Sequence, residues 1–291
     1  MPPTVQSAPS PATWKLTLAY DGTDYYGWQV QPGKPTIQGE LQAALGRITG
    51  EAPLPQGSGR TDAGVHALAQ VASFALLAPI PAESLQRALN RTLPPAIRIS
   101  QARPVRSTFH ARHSARAKVY EYRVFRGSLC PPFLARYVYA FPRPLDFDLL
   151  NASARLFVGE HDFRSFAASD PDLASRGASP GPEPATAPQT PQEPSLGRFR
   201  DPGTVRTIFT SEWRRRQTAD GEFFLYRVRG SGFLHHMVRN LAGVMLEVAR
   251  GSLALVDIPR ILAARDRAQA GPTAPARGLF LHSVEYDPAD E

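Results

Sequence analysis

The chain has 291 residues, with 33 Lys and Arg against 26 Asp and Glu and a formal net charge of +7. That length buries a sizeable apolar core without disulfides or metal, and the lone cysteine, Cys130, excludes an intrachain disulfide framework and any multi-cysteine zinc or iron-sulfur cage. The basic excess points toward a polyanionic partner such as nucleic acid, no apolar run reaches the ~20 residues that span a bilayer, and the opening MPPTVQSAPSPATW lacks the parts of a secretory signal, so a cytoplasmic location is expected.

Residues 1–13 are a mixture of Pro, Ser, Ala and Thr that forms no core and reads as a disordered tail, with order expected from Trp14. WKLTLAY alternates as a strand, DGTDYYGWQVQPGKP is a turn-rich loop, and Thr36 caps a helix that carries Ile37, Leu41, Leu45 and Ile48 and stops at Gly50. ALAQVASFAL reads as a strand, PAESLQRALNRTL as a helix opened by Pro81, and AIRISQARPV as another strand. Together they make a β-α-β-β-α-β unit with helices on one face of a mainly antiparallel sheet, an N-terminal α+β domain over 14–115.

A second α+β domain is expected over 116–291. The strand KVYEYRVF starts at Lys118, RYVYAF is a further strand, and FDLLNASARLFVG is a helix with Leu149, Leu150, Leu156 and Phe157 at near-helical spacing. The stretch at about 168–203, which includes ASPGPEPATAPQTPQEP, predicts a disordered Pro-rich insertion. TVRTIFTSEWRRR and EFFLYRVRG then form a hairpin turning at Ala219, Asp220 and Gly221. A long helix is expected from about Gly232 to Ala249, with Phe233, Met237, Leu241, Val244 and Val248 along one stripe; IPRILAARDRA is a helix and GLFLHSVEY a closing strand.

The densest polar cluster is GSGRTDAGVHALAQ, Gly57 to Gln70. Three glycines surround Arg60, Thr61 and Asp62, so a tightly turned backbone presents an arginine and a carboxylate two positions apart. The same residues also suit a structural turn in which Asp62 caps an amide and Arg60 pairs with it. Neither a dinucleotide fingerprint nor a P-loop fits the glycine spacing. His235 and Arg239 share a polar face opposite the apolar stripe, and His235 with His236 makes no metal site, because no carboxylate or third ligand accompanies them at suitable spacing. Arg103, Arg106, Arg112, Arg116, Lys118, Arg123 and Arg126 crowd the junction of the halves, and Arg227 and Arg229 alternate against Phe224, Tyr226 and Val228, with one face apolar and the other turned to phosphate.

The string GRTDAGVHA, Gly59 to Ala67, resembles the signature of the tRNA pseudouridine synthase A family. YDGTDYYGWQ at 20–29, FHARHSARAKVYEY at 109–122, GEHDFRSF at 159–166 and GFLHHMVRNLAG at 232–243 match further blocks of that family in the same order and span nearly the whole chain. The chain departs from the family in the length of the insertion after Phe166 and in Lys118 and Val119 before Tyr120.

The resemblance implies two ferredoxin-like (RRM-like) α/β sandwich domains whose sheets join into one mixed, mainly antiparallel sheet with a central active-site cleft. It implies isomerisation of uridine to pseudouridine at positions 38, 39 and 40 of the tRNA anticodon stem-loop by a homodimer, without cofactor or metal. Asp62 is then the catalytic nucleophile, and Arg60 contacts the target base or takes its place. Tyr120 stacks on the extruded uracil with its hydroxyl near the reacting atoms, and Arg239 reaches Asp62 from the second half across the cleft. The segment Phe109, His110, Ala111, Arg112 and His113 contacts the anticodon arm. His66 and Tyr122 are expected to be structural. Such chemistry suits this inventory, since it needs a placed carboxylate, a pocket for the detached ring and exclusion of water. The rival readings are a non-catalytic RNA-binding protein of the same fold and a nucleotide hydrolase using Asp62 with His66.

Overall fold

The computed structural model describes residues 10–168 and 203–290. Most of the expected N-terminal tail and nearly all of the expected insertion lie outside the described residues. The first half is built on β1, Ala12–Tyr20. This strand begins two residues ahead of Trp14, because Ala12 and Thr13 already find ladder partners in Leu76 and Ala75.

Helix α1, Ile37–Thr49, starts where the Thr36 hydroxyl accepts the Gly39 amide at 3.3 Å, and it ends at Gly50 in the left-handed region at φ 76°. A two-residue strand, β2 (Gln56–Gly57), escapes the periodicity because it is too short to show one. β3 (His66–Leu76), α2 (Ala82–Thr92) and β4 (Ile97–Val105) complete the half, with Pro81 at the cap position of α2. β1 pairs antiparallel with both β3 and β4, and β2 pairs antiparallel with β3. Ile37, Leu41 and Leu45 of α1 and Leu85 and Leu89 of α2 are buried in one core with Leu16, Leu18, Ile97 and Ile99. Each such side chain contributes about 1.5–3 kcal/mol of transfer free energy.

The second half contains β5 (Ala115–Phe125), α3 (Pro132–Ala135), β6 (Tyr139–Ala140), α4 (Phe147–Arg155), β7 (Gly159–Asp162), β8 (Val205–Thr218), β9 (Gly221–Gly230), α5 (Met237–Ala249), α6 (Asp257–Ala264) and β10 (Leu279–Tyr286). Among the described residues, all ten strands form a single sheet ordered β4-β1-β3-β10-β5-β9-β8-β7, with β2 on β3 and β6 on β5, and only the β10–β3 and β5–β6 pairs are parallel. The architecture is thus a mixed α+β fold on a large, mostly antiparallel sheet. β10 joins the halves: Leu281 lies opposite Ala67 of β3 on one side and Tyr120 of β5 on the other. One continuous apolar core underlies both halves, and among the described residues no helix is long and apolar enough to cross a membrane.

Several expected elements are shorter than their patterns suggest: the helix expected over FDLLNASARLFVG ends at Arg155, before Leu156 and Phe157, and the one over IPRILAARDRA ends at Ala264, where Arg265 is left-handed at φ 52°. RYVYAF contributes only Tyr139 and Ala140 to the sheet, opposite Val124 and Phe125. The long helix expected from Gly232 begins instead at Met237, because His236 is held in the left-handed region at φ 60° and ψ 0°, which breaks the helical path. Phe233 and His235 therefore precede the helix and are not part of its faces, while Met237, Leu241, Val244 and Val248 do form its buried stripe.

Candidate active site

The two motifs YDGTDYYGWQ and GRTDAGVHA fold against each other, backbone on backbone. The Trp28 amide donates to the Thr61 carbonyl at 3.0 Å and the Gly64 amide to the Tyr25 carbonyl at 3.3 Å. Glycine is needed where the strands of loop touch. A Cβ on Gly22 would lie 2.0 Å from the Val65 carbonyl oxygen, and one on Gly27, which has φ +83°, would lie 2.5 Å from the Thr61 carbonyl oxygen. Side chains complete the brace. The Tyr20 hydroxyl bonds Thr61 Oγ1 at 2.8 Å, Gln70 Nε2 donates to the Gly59 carbonyl at 2.9 Å, and Lys118 Nζ donates to the Ser58 carbonyl at 2.5 Å. Burial, and then the neighbouring Arg112 and Arg206, pull the Lys118 ammonium down to about 8.

This brace holds Asp62 on the loop that leads into β3. Arg239, on the first turn of α5, donates through Nη1 to Asp62 Oδ2 at 2.9 Å and through Nε to the Ala274 carbonyl at 2.8 Å. The side chains are only 17% and 15% exposed, so the pair is largely shielded from water and a charge-assisted bond there contributes about 1.5–3 kcal/mol. His236 Nε2 lies 3.4 Å from Asp62 Oδ2 and His235 Nε2 3.5 Å from Asp62 Oδ1. Burial holds the His236 imidazole below its usual pKa, although the Asp62 charge opposes that shift. The absence of a nearby carboxylate expected for these two histidines is thus corrected. The carboxylate arrives from a distant loop, a relation no local spacing reveals.

Tyr120, on β5, is buried with its ring edge-on to Phe233 at 5.1 Å. Burial foremost, then the charges of Tyr20 and Asp62, push its phenol far above the usual range, so the hydroxyl keeps its proton and acts as a donor. Tyr122 is fully buried and donates to the Pro275 carbonyl at 2.8 Å, and Arg60 is exposed two residues before Asp62. His66 faces a different carboxylate, its Nδ1 lying 3.2 Å from Asp21 Oδ1. Its Nδ1 accepts the Gly22 amide at 3.1 Å, which leaves Nε2 to donate to the Arg136 carbonyl at 3.1 Å, and its ring stacks on Phe280 at 4.7 Å. Those contacts make it a brace.

The segment after β4 divides by burial. Phe109 and Ala111 are buried with Val71, the Ala111 amide donating to Ser73 Oγ at 3.0 Å and the Tyr286 hydroxyl to the Ala111 carbonyl at 2.6 Å. Their side chains anchor the segment, while Arg112 and His113 are exposed and His110 is half-buried. Much of the expected basic surface is tied internally. Arg123 lies over the Phe280 ring at 3.8 Å and bonds Glu121, Arg227 bonds His282, Arg229 pairs with Glu285 at 2.6 Å, and Arg126 donates to the Phe141 carbonyl at 2.6 Å. Sequence reasoning considered His235 and His236 without linking them to Asp62, and overlooked the Lys118 anchor and the Gly22 and Gly27 contacts. The paired glycines within two neighbouring motifs were the available sign of the last.

Known proteins resemble the chain over most of its length. The profile of a family described as tRNA pseudouridine synthase matches residues 17–114 and 198–287. The chain is 49% identical to the tRNA pseudouridine synthase A of Solibacter usitatus, covering 94% of this chain and 98% of that protein. It is 42% identical to the tRNA pseudouridine synthase A of Moorella thermoacetica and 40% identical to that of Lacticaseibacillus casei, each over 94% of this chain.

Proposed function

Because the chain belongs to the tRNA pseudouridine synthase family, we propose that it isomerises uridine to pseudouridine at positions 38, 39 and 40 of the tRNA anticodon stem-loop, with Asp62 as the catalytic nucleophile. The observation that carries the reading is the Asp62–Arg239 contact of 2.9 Å, made between the two halves of the chain beside Tyr120. The reaction breaks the bond from N1 to C1′ and rejoins the same ring through C5; C5 loses a proton and N1 gains one, so nothing is oxidised or reduced.

Each residue has a part in that sequence. Asp62 supplies the electron pair, and Arg239 fixes the carboxylate's direction so that its free lone pairs face the substrate. The Tyr120 ring stacks on the extruded uracil and its hydroxyl donates a hydrogen bond. Arg60 contacts the target base or fills the place it leaves. His110, Arg112 and His113 face the anticodon arm from a segment anchored by Phe109 and Ala111. Two ferredoxin-like halves sharing one sheet, a cytoplasmic homodimer and tRNA recognised by shape and phosphate complete the reading.

The test is uridine isomerisation on an unmodified tRNA transcript with wild type and Asp62→Asn. The isosteric variant should lose turnover by at least about a thousandfold while still binding tRNA. Equal product from both proteins would remove Asp62 from the reaction, and binding without product from wild type would favour a non-catalytic RNA-binding protein.

A further inference from the structure

We infer that Asp62, His235 and His236 form a divalent-cation site of the zinc class, and that a cation held there switches the active site off. The three donors converge although they come from two distant parts of the chain. His235 Nε2 lies 3.5 Å from Oδ1 and His236 Nε2 3.4 Å from Oδ2, and all three donor atoms lie within 4.8 Å of one another. Zinc holds nitrogen and oxygen ligands at about 2.0–2.2 Å, which puts neighbouring corners of its tetrahedron about 3.4 Å apart. Each histidine lies about that edge length from one oxygen of the carboxylate, His235 from Oδ1 and His236 from Oδ2. These separations are long for charge-assisted hydrogen bonds, which close to about 2.7–2.9 Å.

The donors are also set in place without a cation. Asp62 sits on the braced loop, and His236 occupies the left-handed position just before α5. The imidazoles lie against each other with ring centres 4.0 Å apart. Two nitrogens and one carboxylate oxygen suit zinc over magnesium or calcium, which prefer all-oxygen shells. Three protein ligands leave the fourth corner open.

Arg239 shapes the site's strength. Its guanidinium already occupies one lone pair of Oδ2 and its charge repels a cation, so binding is weaker than in a structural zinc site and reversible by chelators. On binding, the carboxylate donates to the metal the lone pair that attack on the substrate needs. No oxidation state changes, and occupancy and turnover exclude each other. Cation binding stands apart from the isomerase reading; only the inhibition rests on it.

The experiment titrates the full chain with zinc in chelator-free buffer by calorimetry, repeated with cobalt to read tetrahedral ligation from its visible absorption. Wild type should bind one zinc, with affinity reduced on the order of 100-fold in His235→Gln and in His236→Asn and abolished in Asp62→Asn. Asparagine at 236 is chosen because it tolerates the left-handed backbone, and thermal melts of each variant separate lost binding from lost folding. The His110 and His113 rings, 4.3 Å apart, offer a competing site, so His110→Ala should leave zinc binding unchanged. In parallel, zinc should inhibit isomerisation by wild type and a chelator should restore it. Failure of wild type to bind, equal binding by Asp62→Asn, or loss of binding in His110→Ala overturns the site; stoichiometric binding without inhibition overturns the switch.

Discussion

The loop that carries Asp62 and the helix that carries Arg239 are held by different kinds of contact. The loop is braced along its length by close backbone approaches and packed side chains: Gly22 lies on Val65, Gly27 on Thr61, and a Cβ on Gly57 would sit 2.6 Å from the Trp28 ring. The helix instead slots into one place. A Cβ on Gly243 would lie 2.0 Å from the Pro272 carbonyl oxygen, and Arg239 exchanges hydrogen bonds with Ala274 through its Nε and its own carbonyl, at 2.8 and 3.2 Å. The difference separates two duties. The position of the Asp62 carboxylate is set by local packing that also stabilises the fold, whereas its counterion is delivered by one side chain, Arg239.

Substitutions on the two sides should therefore divide stability from turnover. The largest effect is expected on the loop side, where Gly22→Ala forces a methyl into the Val65 carbonyl and should cost about 3 kcal/mol in urea unfolding together with turnover. A loss below about 1 kcal/mol would mean that the loop yields easily. On the helix side, Arg239→Lys keeps the charge but lacks the fork that reaches Asp62 and Ala274 at once. It should lower kcat on the order of 100-fold with only about 1 kcal/mol of destabilisation; equal losses in both measurements would erase the contrast between the sides. Tyr120→Phe removes only a hydroxyl, so kcat should fall about tenfold while tRNA affinity, dominated by phosphate contacts, stays within about twofold. A large fall in affinity would assign the hydroxyl to binding.

The smallest effect concerns pH. Burial lowers Lys118 from 10.5 to about 8 in the fold. Between those values the unfolded chain binds the proton that the folded chain has released, so stability from this group rises as pH rises from about 8 toward 10.5. The wild-type urea midpoint, measured relative to Lys118→Met, should increase across that window. A flat difference would place the ammonium in water and remove it from the loop's brace.

Local rules gave the parts of the molecule that local chemistry controls. The Thr36 cap and the Gly50 stop bound α1 as written in the chain, and the turn at Ala219 and Asp220 closes the β8–β9 hairpin. Asp62, Tyr120 and Arg239 emerged from family resemblance, since their own surroundings suited structural roles equally well. Where long-range packing decides, sequence reading failed. Apolar spacing runs smoothly through GFLHHM, and only the left-handed His236 reveals that α5 starts at Met237. The Asp62–histidine cluster was invisible for the same reason, and so was the place of GLFLHSVEY, whose alternation marks a strand but not its neighbours.

That last strand has a consequence for how the protein is made. Among the described residues, β10 is the only strand that touches both β3 and β5, yet it follows them in chain order. During synthesis from the amino end, β1 to β4 can assemble as a unit, with β2 covering part of the outer edge of β3 at Ala72 and Ser73, but the His66–Ala67 end of that edge stays open until β10 is available to fill it. The Ala274 carbonyl that steadies Arg239 also comes from the stretch just before β10. Closure of the sheet and alignment of the counterion are thus late and nearly simultaneous events, so a chain interrupted before this point carries Asp62 without the carbonyl that aims its partner Arg239.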